Sequence, residues 1–178
     1  PPGIWEAVGY TASNTAKYSQ DSGDALYRRS LYTFWKRTAP PPSMTLFDAP
    51  SREQCTARRE RTDTPLQALA LMNDPQYFEA ARQLGYRMLR QGGDTDAARL
   101  DYGFRLVAAR LPADHERAVL RETLDLQRLR FRANEEAARK TIAVGESPVP
   151  TDLPPAELAA YAMTASLLLN LDEVVTKN

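Results

Sequence analysis

The stretch RRERTDTPLQALALMNDP, which runs from Arg58 to Pro75, decides the fold of this chain. Thr64 directly precedes Pro65 and stands three residues before Gln67. One site therefore combines a helix N-cap, a proline at the first helical position and the glutamine of a capping box. Further along, Asn73-Asp74-Pro75 stops that helix and begins the next, with Asp74 as its cap. The stretch predicts two consecutive helices whose first residues are fixed by local chemistry.

The rest of the chain continues this helical pattern. Apolar residues recur at helical spacing up to Gly92-Gly93, over about 95–111, over about 113–143, and after the loop 145–155. In the long helix over 113–143 we expect the core-facing residues to be Leu120, Leu124, Leu129 and Phe131. The apolar run 166–171 indicates that the last helix is buried on most sides. We therefore predict a mainly α fold, a bundle of about five helices over residues 64–178.

The N-terminal third, residues 1–63, follows a different pattern. It is rich in Pro, Gly and small polar residues, which indicates irregular structure packed on the bundle. The aromatic stretch 27–37 predicts a short strand, and the prolines of 39–50 predict an extended connector. The fold then has at most one or two short strands. Because the chain starts PPGIWEAVGY without a Met, we expect it to be one domain cut from a longer protein.

Composition excludes several classes of function. The formal net charge is zero, so nothing predicts a nucleic-acid partner, although 19 of the 23 basic residues are Arg. The only cysteine, Cys55, cannot form a disulfide within the chain, and with His115 as the only histidine no zinc ligand set is present. We expect Cys55 to be a buried, inert thiol, and we predict no metal, no cofactor and no membrane span in this chain.

Four strings carry a family resemblance: PPGIWEAVGY, LYRRSLYTFWKR, LFDAPSREQCTARRERTDTPLQALALMNDPQYFEAAR and LLLNLDEVVTKN. They resemble the C-terminal part of the domain-of-unknown-function family 1553, found in large multidomain proteins of planctomycete-type bacteria that often carry a cytochrome c-like domain. The family has no established activity. The resemblance implies a periplasmic or cell-surface location, upstream domains of the same polypeptide as partners, and haem, if any, in another domain of the parent protein.

Two groups of residues are candidate ligand-binding sites. Arg58, Arg59 and Arg61 beside Asp63 can hold an anionic ligand, such as a sulfated or carboxylated sugar, by bidentate hydrogen bonds. The helix start at 64–67 adds backbone amides that favour the same anion. The alternative is that these arginines pair with neighbouring carboxylates (Asp48, Glu53, Glu60 and Asp63) and fix an irregular segment in place.

The second group is Arg28, Arg29 and Trp35, which with Tyr32 and Arg37 can form an aromatic and basic surface for stacking on a sugar or on nucleic acid. The alternative here is a strand whose aromatic side packs on the helices while its arginines face water. No set of residues has the spacing of a self-contained active site, so catalytic residues are unknown.

Three functions stay open at this point. The first is an accessory module of a large extracytoplasmic protein that binds a ligand or partner, with anionic glycans as the ligand class. The second is part of a composite hydrolase site acting on glycans and completed by other domains. The third is a scaffold for an electron-transfer partner. Whether the protein is an enzyme is not predicted.

Overall fold

A computed structural model describes residues 21–36, 39–58 and 60–176 of the protein. The chain divides into two compact units, Pro1–Thr62 and Asp63–Asn178. Over the described residues the regular structure is α-helix with short 3-10 turns, and no strand is formed there. The predicted mainly α fold class is therefore confirmed.

In the first unit, turns take the place of the predicted strand. Two 3-10 turns span Gly23–Tyr27 and Ser30–Tyr32. The amide of Tyr32 donates to the Arg29 carbonyl at 2.9 Å, so backbone groups in this segment are satisfied locally. The strand prediction for 27–37 is wrong over residues 27–36, while Arg37 lies outside the described residues. The physical reason is that the described segment has no neighbouring strand to pair with, beyond one isolated bridge between Lys36 and Ala39.

A short helix, α1, spans Pro42–Leu46 and replaces part of the extended connector predicted for 39–50. Pro42 stands at its start, where a missing amide hydrogen and a fixed φ are compatible with a helix. The segment that follows α1 is closed by Thr62, whose amide donates to Asp48 Oδ2 at 2.8 Å and whose hydroxyl contacts both oxygens of that carboxylate.

The second unit starts with the two helices that the opening stretch predicts, α2 over Pro65–Asn73 and α3 over Pro75–Gln91. The capping box of α2 is confirmed: the Gln67 amide donates to Thr64 Oγ1 at 3.3 Å, and the Thr64 amide donates to Gln67 Oε1 at 2.8 Å. Asp74 caps α3 by accepting the amide of Gln76 at 2.9 Å. Both helix starts therefore follow from local side-chain chemistry.

Five further helices complete the second unit: α4 (Asp96–Ala108), α5 (Asp114–Ala133), α6 (Glu135–Ile142), α7 (Pro155–Leu169) and α8 (Asp172–Val175). The single long helix predicted over 113–143 is thus two helices. Asn134 leaves the helical conformation with φ −143° and ψ 87°, and its side chain caps α6 by accepting the Ala137 amide at 2.9 Å. A short polar residue that competes for backbone hydrogen bonds favours such a break.

The core of this unit forms around α7, which contacts α3, α5 and α6. As the apolar run predicts, α7 is buried on most sides. Gly85 of α3 allows the closest approach, because a Cβ there would lie 2.8 Å from the backbone of Tyr161 and Ala162. In α5, Leu120, Leu124 and Phe131 are buried as expected. Leu129 is not: the prediction is wrong, since its side chain is 71% exposed on the opposite face.

Candidate functional site

An aromatic segment of the first unit, Tyr27 to Trp35, exposes an unusual amount of apolar surface. Four large side chains in it are more than half exposed: Tyr27, Leu31, Tyr32 and Phe34. The 3-10 turns point successive side chains in several directions instead of alternating them between two faces. For this reason the aromatic side chains of the segment do not lie together on one buried face, whereas the strand alternative requires that they do.

Arginines accompany these rings. Arg28 and Arg29 are exposed, and the Arg29 guanidinium lies 6.0 Å from the centroid of the Tyr32 ring. Trp35 is half-buried, with the guanidinium of Arg52 only 4.8 Å from its ring centroid. Both distances fall within the range of cation–π attraction. The segment therefore combines exposed rings with guanidinium groups, which is the chemistry expected of a surface that contacts a polar, anionic and partly apolar ligand.

Arg52 is the residue of this surface that the sequence did not indicate. It lies 17 positions from Trp35 and has a left-handed backbone conformation, with φ 63°. No periodicity or motif predicts a contact made through such a turn. The Trp35 indole Nε1 is buried and, among the described residues, has no hydrogen-bond acceptor, so the ring is held by packing and by Arg52.

The arginines predicted around Asp63 are distributed over the two units. Arg58 and Arg61 belong to the first unit and are exposed, Arg59 lies outside the described residues, and Asp63 is exposed at the start of the second unit. Within the described part of the chain, neither Arg58 nor Arg61 forms an ion pair. The amides of Thr64 and Gln67, expected to favour an anion, are used by the capping box instead.

In the second unit, the strongest polar cluster joins three helices through one arginine. We call it the Arg128 clasp and define it as Arg128, Asp96, Glu157 and Tyr161. Arg128 donates from Nη1 and Nη2 to the two oxygens of Asp96 at 2.6 and 2.7 Å. It also donates from Nε to Glu157 at 3.0 Å and contacts the same carboxylate through Nη2. The Tyr161 hydroxyl donates to Asp96 Oδ1 at 2.9 Å.

Hydrogen bonds and burial shift the pKa values of three members of the clasp: Asp96, Arg128 and Tyr161. Hydrogen bonds from Arg128 hold the pKa of Asp96 well below its usual range, and hydrogen bonds to Asp96 and Glu157 raise the pKa of Arg128. Burial, reinforced by the hydrogen bond to Asp96, raises the pKa of Tyr161 to about 12. None of these three groups titrates near pH 7, where a general acid or base is most effective. The clasp is therefore suited to holding α4, α5 and α7 together rather than to proton transfer.

The clasp borders an open groove along the outer face of α5. Arg121 connects the two, since its guanidinium lies 3.7 Å from Asp96 and 3.0 Å from Asp125. The groove has an apolar floor and charged edges, and it is lined by Ala118, Arg121, Glu122, Asp125, Leu126 and Leu129. The groove is open to solvent and does not enclose a small ligand.

A second buried arginine, Arg82, has a structural role that the sequence did not reveal. It is fully buried in α3 and donates to the carbonyls of Ile142 and Ser147, both at 2.9 Å. Beside it, the Glu146 amide donates to Glu79 Oε2 at 2.6 Å. These contacts tie the loop between α6 and α7 to α3. They satisfy two backbone carbonyls, at the end of α6 and in the loop, and one backbone amide of the loop.

The described residues include the one cysteine of the chain and side chains of the types that bind metal ions. No group of three or more His, Cys, Asp or Glu side chains is arranged to hold a metal ion in the described ranges. Cys55 is exposed, so the prediction of a buried thiol is wrong. It lies in a segment without regular structure, where no apolar layer covers it. In the same described part of the chain, no helix combines the length and apolar character required to cross a bilayer.

Comparison with known proteins gives one match. The model of a family described as "Protein of unknown function (DUF1553)" matches residues 6–124, which is two thirds of the chain and ends within α5. No curated protein and no solved structure matches the chain.

Proposed function

From the premise that this chain belongs to the DUF1553 family, we propose that it is an accessory binding module of a large extracytoplasmic multidomain protein. We further propose that its first unit binds an anionic oligosaccharide through the aromatic segment Tyr27 to Trp35. The location and the multidomain parent rest on what the family resemblance implies. The ligand class rests on the chemistry of the segment.

The observation that carries the proposal is the density of exposed rings and arginines in the aromatic segment. Large apolar side chains that are exposed next to one another are typical of binding surfaces. Tyr32 is 63% exposed, so its ring can pack against the apolar face of a sugar.

Arginine supplies the preference for an anionic ligand. The guanidinium groups of Arg28 and Arg29 are exposed on the same segment, and a guanidinium matches the two oxygens of a carboxylate or sulfate with parallel hydrogen bonds. Arg58 and Arg61 are additional exposed cations of the first unit. The zero net charge of the chain supports a local site over general attraction to polyanions.

The charged groups of the second unit favour a binding role over a catalytic one. The carboxylates and arginine of the clasp are already paired with each other, and Arg128 holds the pKa of Asp96 well below its usual range. A hydrolase needs an acid or a base whose pKa suits the working pH. This is why we place ligand binding in the first unit and assign no catalytic residue.

The test is binding of the purified chain to an array of sulfated, uronic and neutral oligosaccharides. We expect selective binding to acidic members, weakened by added salt because exposed charges are screened. The variant Arg28→Ala with Arg29→Ala should lose this binding, and Tyr32→Ala should weaken it. Arg139→Ala is the matched control, because Arg139 is an equally exposed arginine on α6 that pairs only within its own helix.

Two results would refute the proposal. One is the absence of binding to every acidic oligosaccharide. The other is equal loss of binding in the Arg139→Ala control, which would show general electrostatic attraction. A second variant, Arg58→Ala with Arg59→Ala, tests whether the predicted arginine group contributes to the same site. Circular dichroism of each variant separates loss of binding from loss of fold.

A further inference from the structure

Helix α5 has two apolar faces, and only one of them is buried. The inner face carries Leu120, Leu124 and Phe131, which are at most 4% exposed. On the outer face, Val119, Leu126 and Leu129 are 54%, 60% and 71% exposed. A helix at the surface of a single domain normally has one apolar stripe and a polar opposite face. The outer face of α5 therefore has the composition of a contact surface.

The outer face also has the spacing of a helix–helix seam. Its exposed residues follow one another at alternating intervals of three and four: Val119, Glu122, Leu126, Leu129 and Ala133. Alternation of three and four is the heptad pattern by which two helices pack side by side. The open groove described above runs along this seam and includes Leu126 and Leu129 in its floor.

We propose that this face pairs two copies of the chain, with α5 of one copy packed antiparallel against α5 of the other. A twofold axis uses the same patch on both copies, so the patch must complement itself. We place the axis between Gln127 and Arg128. There, Leu126 of each copy packs against Leu129 of the second copy, and the four leucines form the centre of the contact.

Charge along the helix is complementary in the antiparallel direction. The charged residues that line the groove are Arg121, Glu122 and Asp125, and beyond the groove the helix carries Arg130 and Arg132. With the axis between Gln127 and Arg128, Asp125 flanks Arg132 of the second copy, and the symmetry repeats this pair on the other side. A parallel pair would instead bring Asp125 towards Arg130 of the second copy and leave Arg132 without an acidic partner.

The intrachain contacts of these residues leave them available. Asp125 is 53% exposed; it pairs with Arg121, which is 52% exposed, and more distantly with Arg128 at 3.7 Å. The pair with Arg121 lies at the surface and contributes little energy. Arg132 is exposed and forms no ion pair within the described ranges. Neither residue has to leave a buried position to contact the second copy.

The first test is the mass of the chain in solution, measured by sedimentation equilibrium from about 1 µM to about 1 mM, the range in which small interfaces associate. We expect a concentration-dependent dimer. Leu129→Asp should be monomeric throughout and should keep its helical signal, because the side chain is exposed in the single copy. Leu106→Asp, at an exposed leucine of α4, is the matched control and should still dimerise.

A charge-exchange experiment tests the partner and the direction together. Asp125→Arg alone and Arg132→Asp alone each place like charges across the axis, so each variant should be monomeric. An equimolar mixture of the two variants restores both opposite-charge pairs and should form a heterodimer.

A monomeric wild type at every concentration would overturn the proposal, as would a mixture that stays monomeric. A dimer that survives Leu129→Asp would place the contact elsewhere and overturn it equally. The proposal is independent of oligosaccharide binding by the first unit.

Discussion

Arg128→Met tests whether the clasp holds the second unit together. The substitution keeps an unbranched apolar stem but removes every hydrogen bond that the guanidinium makes to Asp96 and Glu157. It also leaves two carboxylates close together without the cation between them. We therefore expect a folded protein of clearly reduced stability.

The magnitude follows from how deeply the groups are buried. The side chain of Arg128 is 14% exposed, and those of Asp96 and Glu157 are 18% and 21% exposed. Removing one partner of a fully buried pair costs about 3–5 kcal/mol, and residual solvent reduces this to about 2–3 kcal/mol here. For a unit of this size, that corresponds to a melting temperature lower by about 5–10 °C.

The pH dependence gives an independent check on the cause. In the wild type, Arg128 holds the pKa of Asp96 below its usual range. An acidic group whose pKa is lower in the folded state than in the unfolded state stabilises the fold above the unfolded-state pKa of about 3.9. This stabilisation is lost as pH falls towards the folded-state pKa. The Arg128→Met variant lacks this contribution. The stability difference between wild type and variant should therefore be largest above about pH 5 and shrink between about pH 4 and pH 2.

The assay is urea unfolding followed by circular dichroism at several pH values. Arg121→Met is the matched control, because Arg121 lies on the same helix but is 52% exposed, and its loss should cost at most about 1 kcal/mol. The reasoning is refuted if Arg128→Met costs no more than Arg121→Met. A large cost that does not change with pH would show that packing, rather than the ion pairs, stabilises this site.

Three other substitutions test separate parts of the second unit. Gly85→Ala places a Cβ against the α7 backbone. Although alanine has a higher helix propensity than glycine, we expect the free energy of unfolding, measured in urea, to fall by about 1–3 kcal/mol. Thr64→Ala removes the hydroxyl that accepts the Gln67 amide, so thermal unfolding should show a loss of about 1 kcal/mol. Tyr161→Phe should change how the free energy of unfolding falls at alkaline pH. The pKa of Tyr161 is raised to about 12 from an unfolded value of about 10, so the wild type loses stability as pH rises between them and the variant loses less.

Much of the fold is predictable because its signals are local. Thr64, Pro65 and Gln67 lie within one helical turn, so their capping geometry depends on no distant residue. The strand prediction for 27–37 is wrong over residues 27–36 for the opposite reason, since a strand is stable only if another segment pairs with it. The break at Asn134 lies between these cases, because polar residues of this type occur both inside helices and at their ends.

The candidate sites were harder to predict because their contacts join residues that are far apart in sequence. The prediction of exposed rings and arginines in the aromatic segment named Arg28, Arg29 and Trp35, but the cation nearest to Trp35 is Arg52. The clasp was not foreseen at all, since Asp96, Arg128 and Glu157 each look like ordinary surface charges of an amphipathic helix. Only the packing of three helices brings them together.

The clasp also explains why Leu129 faces solvent. Periodicity alone allows α5 to bury either of its two apolar faces, because both follow helical spacing. Arg128 is directed towards α4 and α7 by its ion pairs with Asp96 and Glu157. The next residue is rotated by about 100° around the helix axis, so fixing Arg128 inward turns Leu129 outward together with Leu126. Together with the burial of Leu120, Leu124 and Phe131, the ion pairs of Arg128 thereby leave the outer apolar face of α5 exposed for the proposed second copy. Arg128→Met should accordingly weaken self-association as well as stability, whereas Thr64→Ala, which destabilises a distant helix start, should leave self-association unchanged.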